Sequence, residues 1–297
     1  VGEGKEQPLS LVFAIPDHPW VDAVDGAAVR IAMTVAARNH APGRLLQVTA
    51  ERDNGDEVDV DLSQRTGLIH ADLRTGANVA SAKPLQSNLG ISQRGLELGG
   101  AGFIVTEEDA QRLGEDMAPH FENIVRPYRN GRDLTDKPRK VFLIDLYGLD
   151  EDTVRRDHPR IYQHLVDRVK PEREQNRSAL LREKWWLHRR LREDLRAAIV
   201  GVQRYIATVE TAKHRTFQFL GAEVAPDNML VVVAIEDGLV LGVLSSSIHV
   251  VWSLAAGGRL GVGNDPRYNK SRCFDPFPFP ASMSLLPPGE GARRADE

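Results

Sequence analysis

RLGVGNDPRYNKSRCFDPFPFP, residues 259–280, decides how the chain is read. Its first part gathers Arg259, Arg267, Lys270 and Arg272 among Asn264, Tyr268 and Asn269. Cationic and amide side chains of this kind meet phosphates and base edges. Its second part alternates Phe and Pro over residues 274–280. Proline has no backbone N–H and a fixed φ, so this part cannot continue a helix. The pattern predicts a stiff, extended strap with its phenyl rings buried. A polar loop pinned by such a strap suits a surface that must keep its shape against a charged polymer.

Outward from this stretch, 297 residues suffice for a large core and a prior of about two domains. A hydrophobic fraction of 41% makes the chain globular. No apolar run approaches the roughly 20 residues that cross a bilayer. The opening VGEGKEQPLS lacks the basic start and apolar block of a signal peptide, and its lack of an initiator Met suggests a missing upstream part. Cys273 is the only cysteine, which excludes an internal disulfide and a cysteine-based zinc site. A reducing cytoplasm is the simplest compartment. The net charge of −4 conceals an asymmetry: residues 126–215 hold 22 Lys and Arg against 14 Asp and Glu, leaving 16 against 28 elsewhere. A basic middle is either a footprint for a polyanion or a set of solvated helices.

Periodicity gives the organisation. Strands are expected at 11–15, 29–35 and 45–50, the last two paired across the turn at 39–43. Further strands are expected at 102–105, 141–147, 204–209, 216–220, 229–235 and 239–243. Thr106 caps a helix, with Asp109 three residues on and Gly114 as the stop. Pro159 opens another, in which Ile161, Leu165 and Val169 share a face. A polar helical segment follows from Pro171, and then a short helix ended by Gly201. Ile248, Val251, Trp252 and Ala255 mark an amphipathic helix closed by Gly257-Gly258. This order argues for an α+β fold rather than a regular βαβ array.

Two further segments carry candidate chemistry. In RPYRNGRDL (126–134), Asn130-Gly131 signals a tight turn with Tyr128 and Arg129 before it and Arg132 after it. The planar fork of arginine grips phosphate or the O6/N7 edge of guanine. The alternative is an exposed hairpin turn whose arginines pair with Asp133 and Asp136. TVETAKHR (208–215) is a polar loop ending in Lys213, His214 and Arg215, for a phosphate backbone or simply for water. Trp185 and Trp186 are read as core anchors rather than base-stacking platforms, and Asp17-His18 as a structural turn. The phosphate-binding glycine loops and the nucleophile elbow are absent, and the nine histidines show no metal-ligand spacing on a helix face.

RPYRNGRDL, VFLIDLYGL (141–149), EKWWLHR (183–189), RYIATVETAKHR (204–215), LGVLSSSIHVVW (241–252) and RYNKSRCFDPFPFP (267–280) together resemble the C-terminal half of the large bacterial class I DNA methyltransferases of the MmeI-like type, some of them fused restriction–modification enzymes. The resemblance spans roughly residues 85–280. It implies a mixed α/β target-recognition domain, preceded by the last strands of a Rossmann-like methyltransferase core, to which IPDHPWVDAVDGAAVRIAMTV (15–35) is similar. The implied layout is core strands over 1–60, a linker over 61–84, the recognition domain over 85–280, and a disordered or altered tail over 281–297. In the family, S-adenosylmethionine is the cofactor and an Asn-Pro-Pro-Tyr motif holds the flipped adenine. This chain has neither that motif nor the glycine-containing cofactor motif, so it is expected to be inactive alone.

The expected function is therefore sequence-specific recognition of double-stranded DNA for an adenine N6-methyltransferase, with the catalytic core as a further partner. Candidate DNA-binding residues are Arg126, Arg129, Asn130, Arg132, Lys213, His214, Arg215, Arg259, Arg267, Tyr268, Asn269, Lys270 and Arg272, with no catalytic, cofactor-binding or metal-ligating residue. Two other readings stand beside it: an enzyme with an unrecognised site, and a non-catalytic assembly or remnant protein that binds another protein through its basic middle.

Overall fold

The computed structural model of the chain describes residues 9–20, 29–38, 42–54, 58–114, 121–260, 265–280, 283 and 285. Asn264 and nearly all of the expected tail lie outside them. The strands are β1 (Ser10–Trp20), β2 (Val29–Ala37), β3 (Gly43–Asp53), β4 (Val58–Gly67), β5 (Ser92–Arg94), β6 (Ile104–Val105), β7 (Val125–Arg129), β8 (Val141–Ile144), β9 (Arg204–Val209), β10 (Gln218–Gly221), β11 (Ala225–Pro226), β12 (Leu230–Val233), β13 (Gly258–Leu260) and β14 (Asp265–Arg267). The helices are α1 (Glu107–Gly114), α2 (Phe121–Ile124), α3 (Gly131–Thr135), α4 (Glu151–Asp157), α5 (Pro159–Arg168), α6 (Lys170–Glu174), α7 (Ala179–Glu183), α8 (Glu193–Ala198), α9 (Gly238–Leu244), α10 (Ser247–Ala256) and α11 (Lys270–Cys273). This is a mixed α/β fold with several small sheets, and it divides into two compact units, Val1–Ala82 and Lys83–Glu297.

The first unit is a sheet in the order β2-β1-β3-β4. The strand at 45–50 pairs in parallel with β1 and antiparallel with β4, not with β2 as the turn between them suggested. A turn-like linker shows where the chain bends but not which edge it returns to. The boundary expected at residue 60 falls inside β4. Ala14, Leu45 and Ile69 form its small buried cluster.

The second unit has two four-stranded sheets, β10-β9-β12-β5 and β11-β7-β8-β6. Side chains alternate across β9. Tyr205 and Ala207 join one buried cluster with Phe103, Leu143, Ile161, Leu165, Val169 and Trp185. Ile206 joins another with Val231, Val233, Tyr268, Cys273 and Phe274. The helix from Pro159 buries the three residues its spacing marked, Ile161, Leu165 and Val169. Thr106 caps α1 through its hydroxyl, which accepts from the Asp109 amide at 3.1 Å.

Two further expectations are overturned. Residues 239–243 form helix α9, not a strand, because the Asp237 carboxylate caps its start by accepting from the Leu239 amide. In α10 the apolar side chains were expected inside, yet Ile248 and Val251 are exposed while His249, Ser253 and Ala256 are buried. His249 is accommodated by a hydrogen bond to the Tyr268 hydroxyl at 3.0 Å and by the edge of Phe277, whose ring centroid is 4.3 Å away.

The Phe-Pro strap packs as expected, with Phe274 and Phe277 buried. Asn88, itself buried, donates from Nδ2 to the carbonyls of Phe274, Asp275 and Phe277 at 3.2, 3.1 and 2.8 Å. Phe277→Ala is expected to cost about 3–5 kcal/mol of stability; an unaltered unfolding midpoint contradicts the strap's role. Burial, with Arg215 adding to it, pushes His249 down to about 4. The stability this brings is complete above the ordinary value of about 6.5 and is lost as pH falls toward 4. Burial also depresses His188, so that residue contributes in the same direction. Unfolding free energy plotted against pH should therefore fall less steeply between 6.5 and 4 in His249→Gln, and identical slopes refute the assignment.

Candidate nucleic-acid interface

The segment 126–134 folds around one carboxylate. Asp133 is buried and accepts from the Asn130 amide at 2.8 Å, while Asn130 Oδ1 accepts from the amides of Arg132 and Asp133. This reciprocal capping box starts α3. Asn130-Gly131 is thus a helix start, not the hairpin turn its chemistry suggested. The glycine serves a close approach: a Cβ there would lie 2.9 Å from Val209 Cγ1. Burial pushes the Asp133 carboxyl up, but Arg139 and the Asn130 amide outweigh it and bring it down to about 2. Arg139 donates to both its oxygens, at 3.0 and 2.7 Å. Next to it, the buried Tyr128 hydroxyl donates to Asp227, and burial together with that carboxylate pushes its pKa up.

The loop after β9 is held from inside. Arg215 donates to the carbonyls of Val209 and Pro266, the latter at 3.1 Å, and sits 5.1 Å from the Tyr268 ring centroid. Desolvation lowers its pKa. The Ala212 amide donates to the Pro266 carbonyl at 3.2 Å, and Thr211 bridges Arg267. With these anchors in place, Lys213 and His214 are left exposed at the tip.

Between α3 and this loop lies an open cleft of about 680 Å³. Asn130, Arg132, Lys213 and His214 line it, with Thr211, Asp227 and Met229. The structure therefore brings two of the nominated segments onto one cleft and ties the third, residues 265–272, behind the loop.

The nominated residues take different places. Arg132, Lys213, His214, Arg259 and Arg272 are exposed. Arg129 is half-buried and donates to its neighbour's carbonyl, Tyr128, at 3.0 Å. Arg126 is turned inward, donating to the carbonyls of Glu223 and Ala222 at 3.0 and 2.8 Å. Of two others nominated as surface contacts, Tyr268 is buried and bonded to His249, and Arg215 is half-buried and committed to loop carbonyls. Asn269 caps α11 by accepting from the Ser271 amide at 3.1 Å, and Lys270 pairs with Asp275 at 3.5 Å. Arg267 grips the buried Glu210. The sequence reading missed Thr211, Asp227 and Met229, because only packing puts them beside Arg132.

Among the described residues, no group of three or more His, Cys, Asp or Glu is placed to hold a metal ion. Burial pushes the Cys273 thiol up to about 11, which leaves it protonated and a poor nucleophile at neutral pH. Also among the described residues, no single helix is long and apolar enough to cross a membrane.

A family model described as the target recognition domain of MmeI matches residues 80–281. A solved structure of the type IIL restriction-modification enzyme MmeI in complex with DNA is similar over 96% of this chain, with a TM-score of 0.70 at 18% identity. The chain spans 36% of the length of that solved relative. No curated protein matches it.

Asn130→Ala removes the cap of α3 and is expected to lower stability by about 0.5–2 kcal/mol. Asn130→Asp, which keeps an acceptor oxygen, should retain most of it in denaturant unfolding. Equal losses in both variants contradict the capping role.

Proposed function

The chain belongs to the MmeI target recognition domain family, and from that premise we propose that it reads a specific sequence in double-stranded DNA for a restriction–modification methyltransferase whose catalysis resides elsewhere. The observation that supports this best is the cleft itself. Asn130 and Arg132 meet Lys213 and His214 there, although some eighty residues of chain separate the two segments. A duplex carries dense negative charge, and cations along one open cleft give it register before any base is read. Arg132, Lys213 and His214 are the contacts we assign first. Asn130 lines the same cleft with its Oδ1 committed to the helix cap. Arg259 and Arg272 are exposed as well and are kept as candidate contacts.

Methylation of adenine in a duplex requires the base to leave the stack. The catalytic part must then be placed over one adenine, and a recognition domain does this by holding the duplex in a set register. A few side chains in the groove supply about 1–3 kcal/mol of discrimination per good bidentate contact. S-adenosylmethionine belongs, in this proposal, to the catalytic part. The strands of the first unit are proposed as the closing strands of that Rossmann-like core, and the compartment as the cytoplasm.

Duplex binding measured across salt tests the proposal. Each phosphate contact steepens the dependence of log affinity on log salt by about 0.9. Arg132→Ala and Lys213→Ala are each expected to remove about that much of the slope while leaving the thermal midpoint nearly unchanged. No binding by the wild-type chain at low salt refutes the reading and favours a protein partner for the basic segment.

A further inference from the structure

Glu210 directly follows β9, where the chain leaves the sheet for the loop that carries Lys213. Its carboxylate is 6% exposed and is shared by two arginines. Oε2 accepts from Arg94 Nη2 at 2.7 Å, and Oε1 accepts from Nε and Nη2 of Arg267 at 2.9 and 2.7 Å. A third guanidinium, that of Arg215, donates to the Glu210 backbone carbonyl at 3.5 Å. Two guanidiniums thus share one carboxylate while a third lies at the same residue's carbonyl, and the cluster carries surplus positive charge. An uncompensated charge in a partly desolvated place is costly unless something outside balances it. The side chains of Arg94 and Arg267 remain 43% and 35% exposed, so an anion can reach them from solvent.

We infer that Arg94 contacts a phosphate of the DNA backbone, and that Glu210 is the positioning residue that sets Arg94 and Arg267 as a paired grip. The inference rests on the DNA-reading function above and adds a site that lies outside the cleft. Arg94 belongs to no basic motif. It enters from the edge strand β5, and its own carbonyl is held by Arg192, which donates from Nε and Nη2 at 3.2 and 2.8 Å. Phosphate is the fitting ligand rather than a guanine edge. Each guanidinium has five N–H donors in a rigid fork, and Arg267 gives its Nε–Nη2 edge to Glu210. The remaining donors at its Nη1–Nη2 end can reach phosphate oxygens, and an anion, unlike a neutral base edge, balances the surplus charge of the cluster. The Thr211–Arg267 bridge and the Ala212–Pro266 hydrogen bond fasten the Lys213 loop to the same cluster. A grip set by Glu210 therefore also sets the rim of the cleft.

The test uses the full chain and a short duplex pool of random sequence, titrated from about 50 to 200 mM salt. Wild-type binding is the control; its absence is a failure of the DNA-reading proposal, not of this one. Given wild-type binding, Arg94→Ala should lose about 0.9 of the log–log slope with its thermal midpoint kept, and Arg94→Lys should regain it. An unchanged slope in Arg94→Ala overturns the contact. Glu210→Gln keeps both cations, so its slope should persist while enrichment of a preferred sequence from the pool falls about tenfold or more. Unchanged enrichment in a folded Glu210→Gln protein overturns the positioning role. Should that variant not fold, binding by Arg94→Ala, Arg267→Ala and the double variant decides: non-additive losses support a shared grip, and additive losses overturn it.

Discussion

The carboxamide of Asn88 supplies hydrogen to three carbonyls of the Phe-Pro strap, and the surface around the cleft is stacked on that arrangement. Prolines at 276, 278 and 280 deny the strap the amides it would need for a ladder, yet its buried carbonyls still require donors. Asn88 meets that requirement, helped by the Leu85 amide on Asp275 at 2.9 Å. The fixed strap presents Phe277 to His249, and His249 meets the Tyr268 hydroxyl. The Tyr268 amide in turn donates to the Glu210 carbonyl at 2.6 Å. An unbroken series of contacts thus runs from a buried asparagine to the base of the loop that bears Lys213.

Much of the positive charge in the basic middle is used inside the fold. Arg196 binds both oxygens of the buried Asp145 at 2.8 Å, with Arg126 at 3.6 Å from the same carboxylate. Burial pushes Asp145 up, and these arginines with His188 bring it below the usual carboxylate range. Arg173, almost wholly buried, donates to the carbonyls of Leu98 and Leu187 and lies against Phe103. Arg139 is committed to Asp133. The charge surplus of this region is therefore a poor map of its contact surface, and exposure separates the two uses.

The elements that were legible in the sequence are those whose pattern is local. Ile161, Leu165 and Val169 fall at helical spacing and face the core, and Thr106 sits where a cap must. Misreadings arose where a local signal had two physical causes. Asn-Gly is a turn pair because glycine tolerates positive φ, but Gly131 is needed because Val209 leaves no room for a Cβ. The segment 239–243 is apolar enough for either element, and the Asp237 cap decides. In α10 seven of the ten positions are apolar and spread round the helix, so the sequence alone could not say which face turns inward. The core chose His249 because Tyr268 was there to bind it. Among the nominated cations, the sequence could not distinguish Lys213 from Arg215, two residues on. That distinction is made by the Val209 and Pro266 carbonyls, which only the folded chain gathers around one guanidinium.

Lys213 and His214 project from a loop whose geometry is dictated by other residues: Arg215 beneath, Thr211 and Ala212 at one flank. Form and chemistry are thus inherited from separate codons. Neither projecting side chain is among these anchors, so a lineage can exchange the two, as interchangeable type set in a fixed frame, without first surrendering its ability to fold.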